Sequence, residues 1–177
     1  MAFTGLVYKY LDAPTLKTAQ WKWAQNRVRV LSGLYGLLRP LDEVEAYRLE
    51  MGSKVNPKGS RNLTEFWRKR LTETVNKALK KGEPILSVAS QEYMKALDLK
   101  QLIGPVVSPV FKERLPDGSL RNAPVHSKMA RGALTRYALI TGARKPRDLL
   151  GFRELGWEAA EEPPDSGRWL FVRTYRG

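Results

Sequence analysis

Residues 28–52, VRVLSGLYGLLRPLDEVEAYRLEMG, decide how the rest of the chain is arranged. Val28, Val30 and Leu31 form an apolar, β-branched run that reads as a short strand, or as the end of a helix continuing to the glycine. Ser32-Gly33 then opens a turn, and Gly36 follows three residues after Gly33. Neither glycine carries a Cβ, so the backbone can turn tightly here and come close to a partner. Tyr35 between them offers a ring for stacking, and Arg39 offers a planar fork suited to phosphate or carboxylate. Pro40 disfavours helix at Arg39 and fixes the exit direction. The plain reading is a strand, a turn and a second apolar segment.

Outward from this stretch, helices and strands alternate without a repeat. Residues 3–13 read as a short amphipathic helix stopped by Pro14, and 15–27 as a second, with Trp21, Ala24 and Val28 on one face. Residues 51–61, MGSKVNPKGSR, are the clearest loop. Asn62 then caps the strongest helix, with Glu65 three residues on and Leu63, Phe66, Trp67, Leu71, Val75, Ala78 and Leu79 as its apolar stripe. Gly82 and Pro84 end it. Residues 85–89 read as a buried strand leading into a helix at 91–99. Residues 106–114 are a strand, and Pro116-Asp117-Gly118-Ser119 is a hairpin turn that folds 120–125 back on it. Ser127 is expected to cap a helix through Ile140, stopped by Gly142 and Pro146. Residues 158–165 read as a surface loop, and the alternation in 168–175, RWLFVRTY, as a final strand. The prediction is an α+β fold: a single mixed-sheet domain over 1–177 with several helices.

Composition narrows the chemistry. The 177 residues suffice for a real core. With no cysteine there is no disulfide, thiolate or zinc-thiolate site, and a single histidine, His126, excludes a multi-histidine metal centre. No metal or cofactor is expected. No apolar run reaches membrane-spanning length, and the first residues lack the pattern of a secretory signal, so a cytoplasmic location is expected. Thirty-one Lys and Arg against 18 Asp and Glu give a net charge of +13, which favours a polyanionic partner. A cationic surface without a matching function is the alternative. No basic helix has a free apolar face for lipid, so a membrane is disfavoured.

The wording of the central stretch, LSGLYGLLRPLDEVEAYRLEMG, resembles the signature block of the YaaA peroxide-stress family. Further motifs follow in order: Leu63 to Trp67 resembles its L-x-x-F-W helix start, and Leu86 to Tyr93 its N-L-A-S-x-E-Y turn. Pro109-Val110-Phe111 resembles its P-V-F strand, Lys128 to Gly132 its K-x-A-R-G helix start, and Gly151-Phe152 its late G-F block. Ala2 to Tyr8 resembles a segment from the middle of family members. The family's N-terminal strand and S-P-A-K motif have no counterpart, so the chain resembles the C-terminal two-thirds of a member and is expected to be N-terminally truncated. A site that needs the lysine of that motif would then be incomplete.

The resemblance implies DNA binding through a hairpin and a basic cleft, and a role in protection from peroxide damage. Helix–hairpin–helix modules offer backbone N–H groups to DNA phosphates from a glycine-bearing hairpin, a sequence-independent grip. Such an element is expected here, its hairpin on Ser32 to Gly36, although the glycines are three apart rather than two. Ser32, Gly33, Tyr35, Gly36, Arg39 and Arg48 are the contact residues expected from this stretch. Lys128 and Arg131 join them from a second element. They share one face of their helix with Thr135, and Lys128 lies in the first turn, where an anion also feels the helix N-terminus. A solvated basic face is the alternative there. Gly132 within that helix points to close approach of another backbone or a ligand. Arg68, Lys69, Arg70, Lys77, Lys80 and Lys81 are assigned to solvent. The expected partner is duplex or branched DNA. The competing reading is an enzyme acting on a nucleotide or nucleic acid, with Arg39, Arg48, Lys128 and Arg131 as anion clamps and His126 or Glu50 as proton carrier. No nucleophile, base and orienter can be assembled from sequence, and an ordinary packing role for His126 stays open.

Overall fold

Residues 106–114 alternate between inward apolar and outward positions, and they build the strand on which the rest of the fold is laid. The computed structural model describes residues 3–160 and 167–175. Seven strands are described: β1 Val30–Ser32, β2 Gly36–Leu38, β3 Ile85–Leu86, β4 Val106–Arg114, β5 Leu120–Asn122, β6 Glu158–Ala159 and β7 Arg168–Thr174. The helices are α1 Leu6–Leu11, α2 Thr18–Arg27, α3 Leu63–Ala78, α4 Gln91–Met94 and α5 Pro124–Thr141. β4 pairs in parallel with β7 along its length, in parallel with β3 at its start, and antiparallel with β5 at its end; β6 pairs antiparallel with β7. Parallel neighbours need a crossover, which α5 supplies between β4 and β7. The result is a mixed α/β domain with a mixed sheet, the expected class.

Three apolar clusters fill it. The largest lies between sheet and α5, where Val107, Phe111 and Phe171 meet Ala130, Ala133 and Leu134, with Phe152 and Trp157 fully buried. A second joins α3 to the hairpin: Leu63 and Leu71 pack with Met51, Ala96 and Leu97, and Leu31, Leu37 and Trp67 lie against them. The third gathers Ala13, Leu16, Ala24 and Leu139. Each fully buried large side chain contributes about 1.5–3 kcal/mol.

Several boundaries differ from expectation for physical reasons. The helix–hairpin–helix element is not found: Val30 pairs with Leu38 and Ser32 with Gly36, so the hairpin joins two strands. Residues 39–62 follow it without a helix or strand. β-branched Val30 and the positive φ of Gly36 (78°) favour a β-hairpin. α5 starts at Pro124, not after Ser127, because proline suits the first helical position. Ser127 is inside the helix, and its hydroxyl donates to the Phe111 carbonyl. α3 ends at Ala78, before Gly82. Glu158 and Ala159 of the expected loop form β6; residues 161–165 of it lie outside the described residues.

Asn62 caps α3 as expected: its Oδ1 accepts from the Glu65 N–H at 2.9 Å, and Glu65 reaches back to the Arg61 N–H at 2.7 Å. Asn62→Ala should lower the unfolding free energy by about 1 kcal/mol, read as an earlier urea midpoint at unchanged slope.

Candidate functional site

In the hairpin, Ser32 is fully buried and its Oγ accepts from the N–H groups of Leu34 (3.2 Å) and Tyr35 (2.8 Å). Both acceptor positions of the hydroxyl are then used, so its proton goes to the Tyr47 hydroxyl, its third partner. Tyr47 therefore sends its own proton elsewhere. Gly33 lies against Leu49 and Glu50, where a Cβ would stand 2.5 Å from the Leu49 carbonyl oxygen. Gly36 lies against the Trp67 ring, 2.6 Å from where its Cβ would be, and Trp67 Nε1 donates to the Gly33 carbonyl at 2.8 Å. The close approach that both glycines permit is taken up by this chain's own loop and α3. A Gly36→Val substitution therefore disturbs packing before it reports on any ligand.

Tyr35 stays partly exposed at the hairpin tip, edge-on to Tyr47 at 5.4 Å. Tyr47 in turn meets Phe3, which stacks on Tyr8 of α1 at 5.1 Å. Burial first, and then the neighbouring Tyr47 and Tyr93, push the Tyr8 hydroxyl up to about 12. Burial likewise raises Tyr93, against the opposing effect of the Met51 backbone. Glu92 Oε1 accepts from the Gly52 N–H at 2.6 Å, closing the loop after Glu50. Arg48 and Glu50 are exposed beside this tyrosine cluster in sequence. At the hairpin's other end Arg39 is more than half exposed and pairs with Asp42 at 3.2 Å. The Arg39 backbone N–H is the chief cause holding the Asp42 carboxyl below its usual range. Burial, and then the charge of Arg39, lowers the neighbouring Arg29 guanidinium. Arg29 caps the end of α2 by donating to the Val28 carbonyl at 2.8 Å.

On α5, Lys128 is exposed and Arg131 half-buried. Burial lowers the Arg131 guanidinium, and no acidic side chain pairs with it among the described residues. Gly132 receives α1: a Cβ there would collide with the Val7 carbonyl oxygen and stand 2.9 Å from Tyr10 Cβ. The close approach inferred at Gly132 is thus to another backbone. Further along, Arg136 donates to the Asp12 carbonyl at 2.9 Å. α1 links the two predicted groups: one side packs on Gly132, and Tyr8 reaches Tyr47 through Phe3. Lys128 and Arg131 make no hydrogen bond or ion pair with the hairpin residues among the described residues.

The sequence reading missed a third cluster. Glu113, fully buried on β4, has Arg121 as its cross-strand partner in β5 and Arg173 as its partner in β7. Arg121 Nη2 lies 2.9 Å from Glu113 Oε2, and Arg173 Nη2 lies 2.6 Å from Oε1. His126 Nδ1 reaches Oε1 at 2.9 Å. Burial alone would push the Glu113 carboxyl up, but the hydrogen bonds from Arg173 and Arg121 hold it below its usual range. The signal was present: Val107, Pro109, Phe111 and Glu113 occupy successive inward positions, and a carboxylate ends that apolar series.

Comparison with known proteins identifies the relatives. The family model described as peroxide stress protein YaaA matches residues 1–163. The chain belongs to the YaaA peroxide-stress family. A UPF0246 protein of Flavobacterium johnsoniae is 45% identical over 97% of this chain and 68% of its own length. One from Maricaulis maris is 42% identical over 97% of this chain and 66% of its length. The chain thus spans about two thirds of these relatives. Within this YaaA-family chain, the resembling motifs land on structural junctions. L-x-x-F-W opens α3 under the hairpin, P-V-F supplies the inward Phe111 of β4, and K-x-A-R-G brings Gly132 against α1. Among the described residues, no helix is long and apolar enough to cross a membrane, and no acidic or histidine group is arranged to hold a metal.

Proposed function

We propose that this chain binds DNA independently of sequence, in the service of the peroxide-stress role its family name denotes. The net charge of +13 carries this reading: an excess of that size draws a polyanion, and phosphate neutralisation supplies most non-specific affinity. Arg39, Arg48 and Lys128 on exposed positions, with Arg131 lacking an acidic partner among the described residues, are the contacts we assign. Ser32, Gly33 and Gly36 support them by fixing the hairpin, and Tyr35 at its tip is the ring we assign to a sugar or base.

Binding of a random duplex should weaken steeply as salt rises. Arg39→Ala and Arg131→Ala should each lower the slope of log affinity against log salt by about one unit, whereas Lys80→Ala should leave it nearly unchanged. Fluorescence anisotropy at several salt concentrations measures this. Equal losses from Lys80→Ala and Arg39→Ala would show diffuse attraction without a site, and binding insensitive to salt would overturn the proposal. One observation favours the second reading, an enzyme acting on nucleic acid. With His126 Nδ1 held by Glu113, the neutral ring presents Nε2 as a proton acceptor. Altered product from damaged or branched DNA in the same mixtures, lost in His126→Gln, would establish it.

A further inference from the structure

A carboxylate removed from water needs unusually complete pairing, and Glu113 has it. Arg173 donates to Oε1 through Nε at 3.0 Å and Nη2 at 2.6 Å, and His126 Nδ1 approaches the same oxygen. Arg121 offers Nε and Nη2 to Oε2. One negative charge thus fixes two permanent positive charges, with a third when the imidazole is protonated. The surplus is +1 or +2.

Each arginine also lies over an aromatic ring. Arg121 lies over the Tyr175 ring, 3.8 Å from its centroid, and Arg173 over Trp157 at 5.0 Å. Among the described residues, each arginine spends one edge of its fork on Glu113 with no geometric hydrogen bond from Nη1, and His126 spends Nδ1 with none from Nε2. Arg121 and His126 are 44% and 43% exposed, so these groups can be reached from solvent. The cluster sits where α5 begins, so the positive end of that helix dipole adds to the field. A buried pair that served stability alone would be replaceable by apolar side chains at little loss. What apolar side chains cannot supply is a preorganised set of outward donors with excess positive charge.

We propose that Arg121, His126 and Arg173, positioned by Glu113, form a binding site for a phosphate monoester at the end of a nucleic-acid strand. A monoester carries close to two negative charges at neutral pH and can use the full +2 that the cluster reaches with a protonated imidazole, whereas an internal phosphodiester carries one. The terminal phosphate as ligand rests on the DNA-binding reading above.

His126 is the only histidine in the sequence, so its Hε1–Cε1 NMR signal is unique. The full chain is titrated at fixed pH with inorganic phosphate, using chloride at matched ionic strength as reference. It is then titrated with one single-stranded oligonucleotide bearing, or lacking, a terminal phosphate. The His126 signal should shift saturably with phosphate and with the phosphorylated strand, which should bind about tenfold more tightly than the unphosphorylated one. Arg121→Gln, at a half-exposed position, should remove that preference while the fold survives. Should Arg121→Gln fail to fold, Arg121→Lys keeps the charge but loses the fork, and it should reduce the preference. Binding of both strands alike with an unmoved His126 signal would overturn this site and leave the DNA-binding reading intact. A phosphate-dependent shift with neither strand bound would support the anion site and overturn its assignment to nucleic acid.

Discussion

Replacing Gly132 by valine should lower the unfolding free energy by about 3 kcal/mol, the upper range for overpacking a well-packed interior. The new Cβ would collide with the Val7 carbonyl oxygen and stand 3.0 Å from the Leu11 nitrogen. Both are backbone atoms, so no rotamer change relieves the contact, and α1 has to move off α5. The helix preference of a side chain over glycine works the other way, by less than about 1 kcal/mol, and is outweighed. Gly132→Ala gains the most helix preference and makes the smallest intrusion, so its loss should be smaller. A second readout locates the damage. α1 carries Tyr8, whose hydroxyl is pushed up to about 12 mainly by burial. With α1 displaced, that hydroxyl should titrate nearer its ordinary value, and ultraviolet tyrosine titration should lose its most alkaline component. Stability equal to that of the parent chain, with the Tyr8 titration unmoved, would show that the two helices are not in contact.

What the sequence disclosed follows the range of the forces involved. α3 was legible because its signals are local: Asn62 and Glu65 lie within one turn, and the apolar stripe repeats along the same sixteen residues. β4, its turn and β5 were legible for the same reason, since alternation and a Pro-Asp-Gly-Ser turn are read over a few residues. The hairpin at Ser32 was placed correctly but its surroundings were not. Two glycines announce close approach without naming the partner, and the partners, Leu49 and Trp67, are supplied by tertiary packing. The same holds for Gly132 and α1. His126 was weighed alone, because its partner Glu113 is thirteen positions earlier and Arg173 lies sixty beyond that carboxylate. The register of β4 with β7 brings Glu113 and Arg173 together, and the first turn of α5 brings His126 to the same carboxylate. The inward position of Glu113 was the one local hint.

Glu113→Gln should destabilise the fold by about 3 kcal/mol at neutral pH, because removing one member of a buried ionic network leaves its partners uncompensated. Arg121 can swing into water, but Arg173 is only 19% exposed and stays against a neutral amide. The pH dependence has a definite sign. Burial raises the Glu113 carboxyl, but the hydrogen bonds from Arg173 and Arg121 prevail and hold it below its usual range in the folded chain. A group lowered on folding contributes stability that is fully present above its unfolded value and is lost as pH falls through the folded one. The parent chain should therefore lose stability in acid below the ordinary carboxylate range, while Glu113→Gln loses less over the same interval. Urea unfolding at pH 7, 5 and 3 should show a gap between the two that is widest at pH 7, little changed at pH 5 and narrower at pH 3. A gap that stayed constant to pH 3 would mean that folding leaves the Glu113 carboxyl at its ordinary value. A gap that widened in acid would mean the opposite shift, a carboxyl raised by burial that the arginines fail to hold ionised.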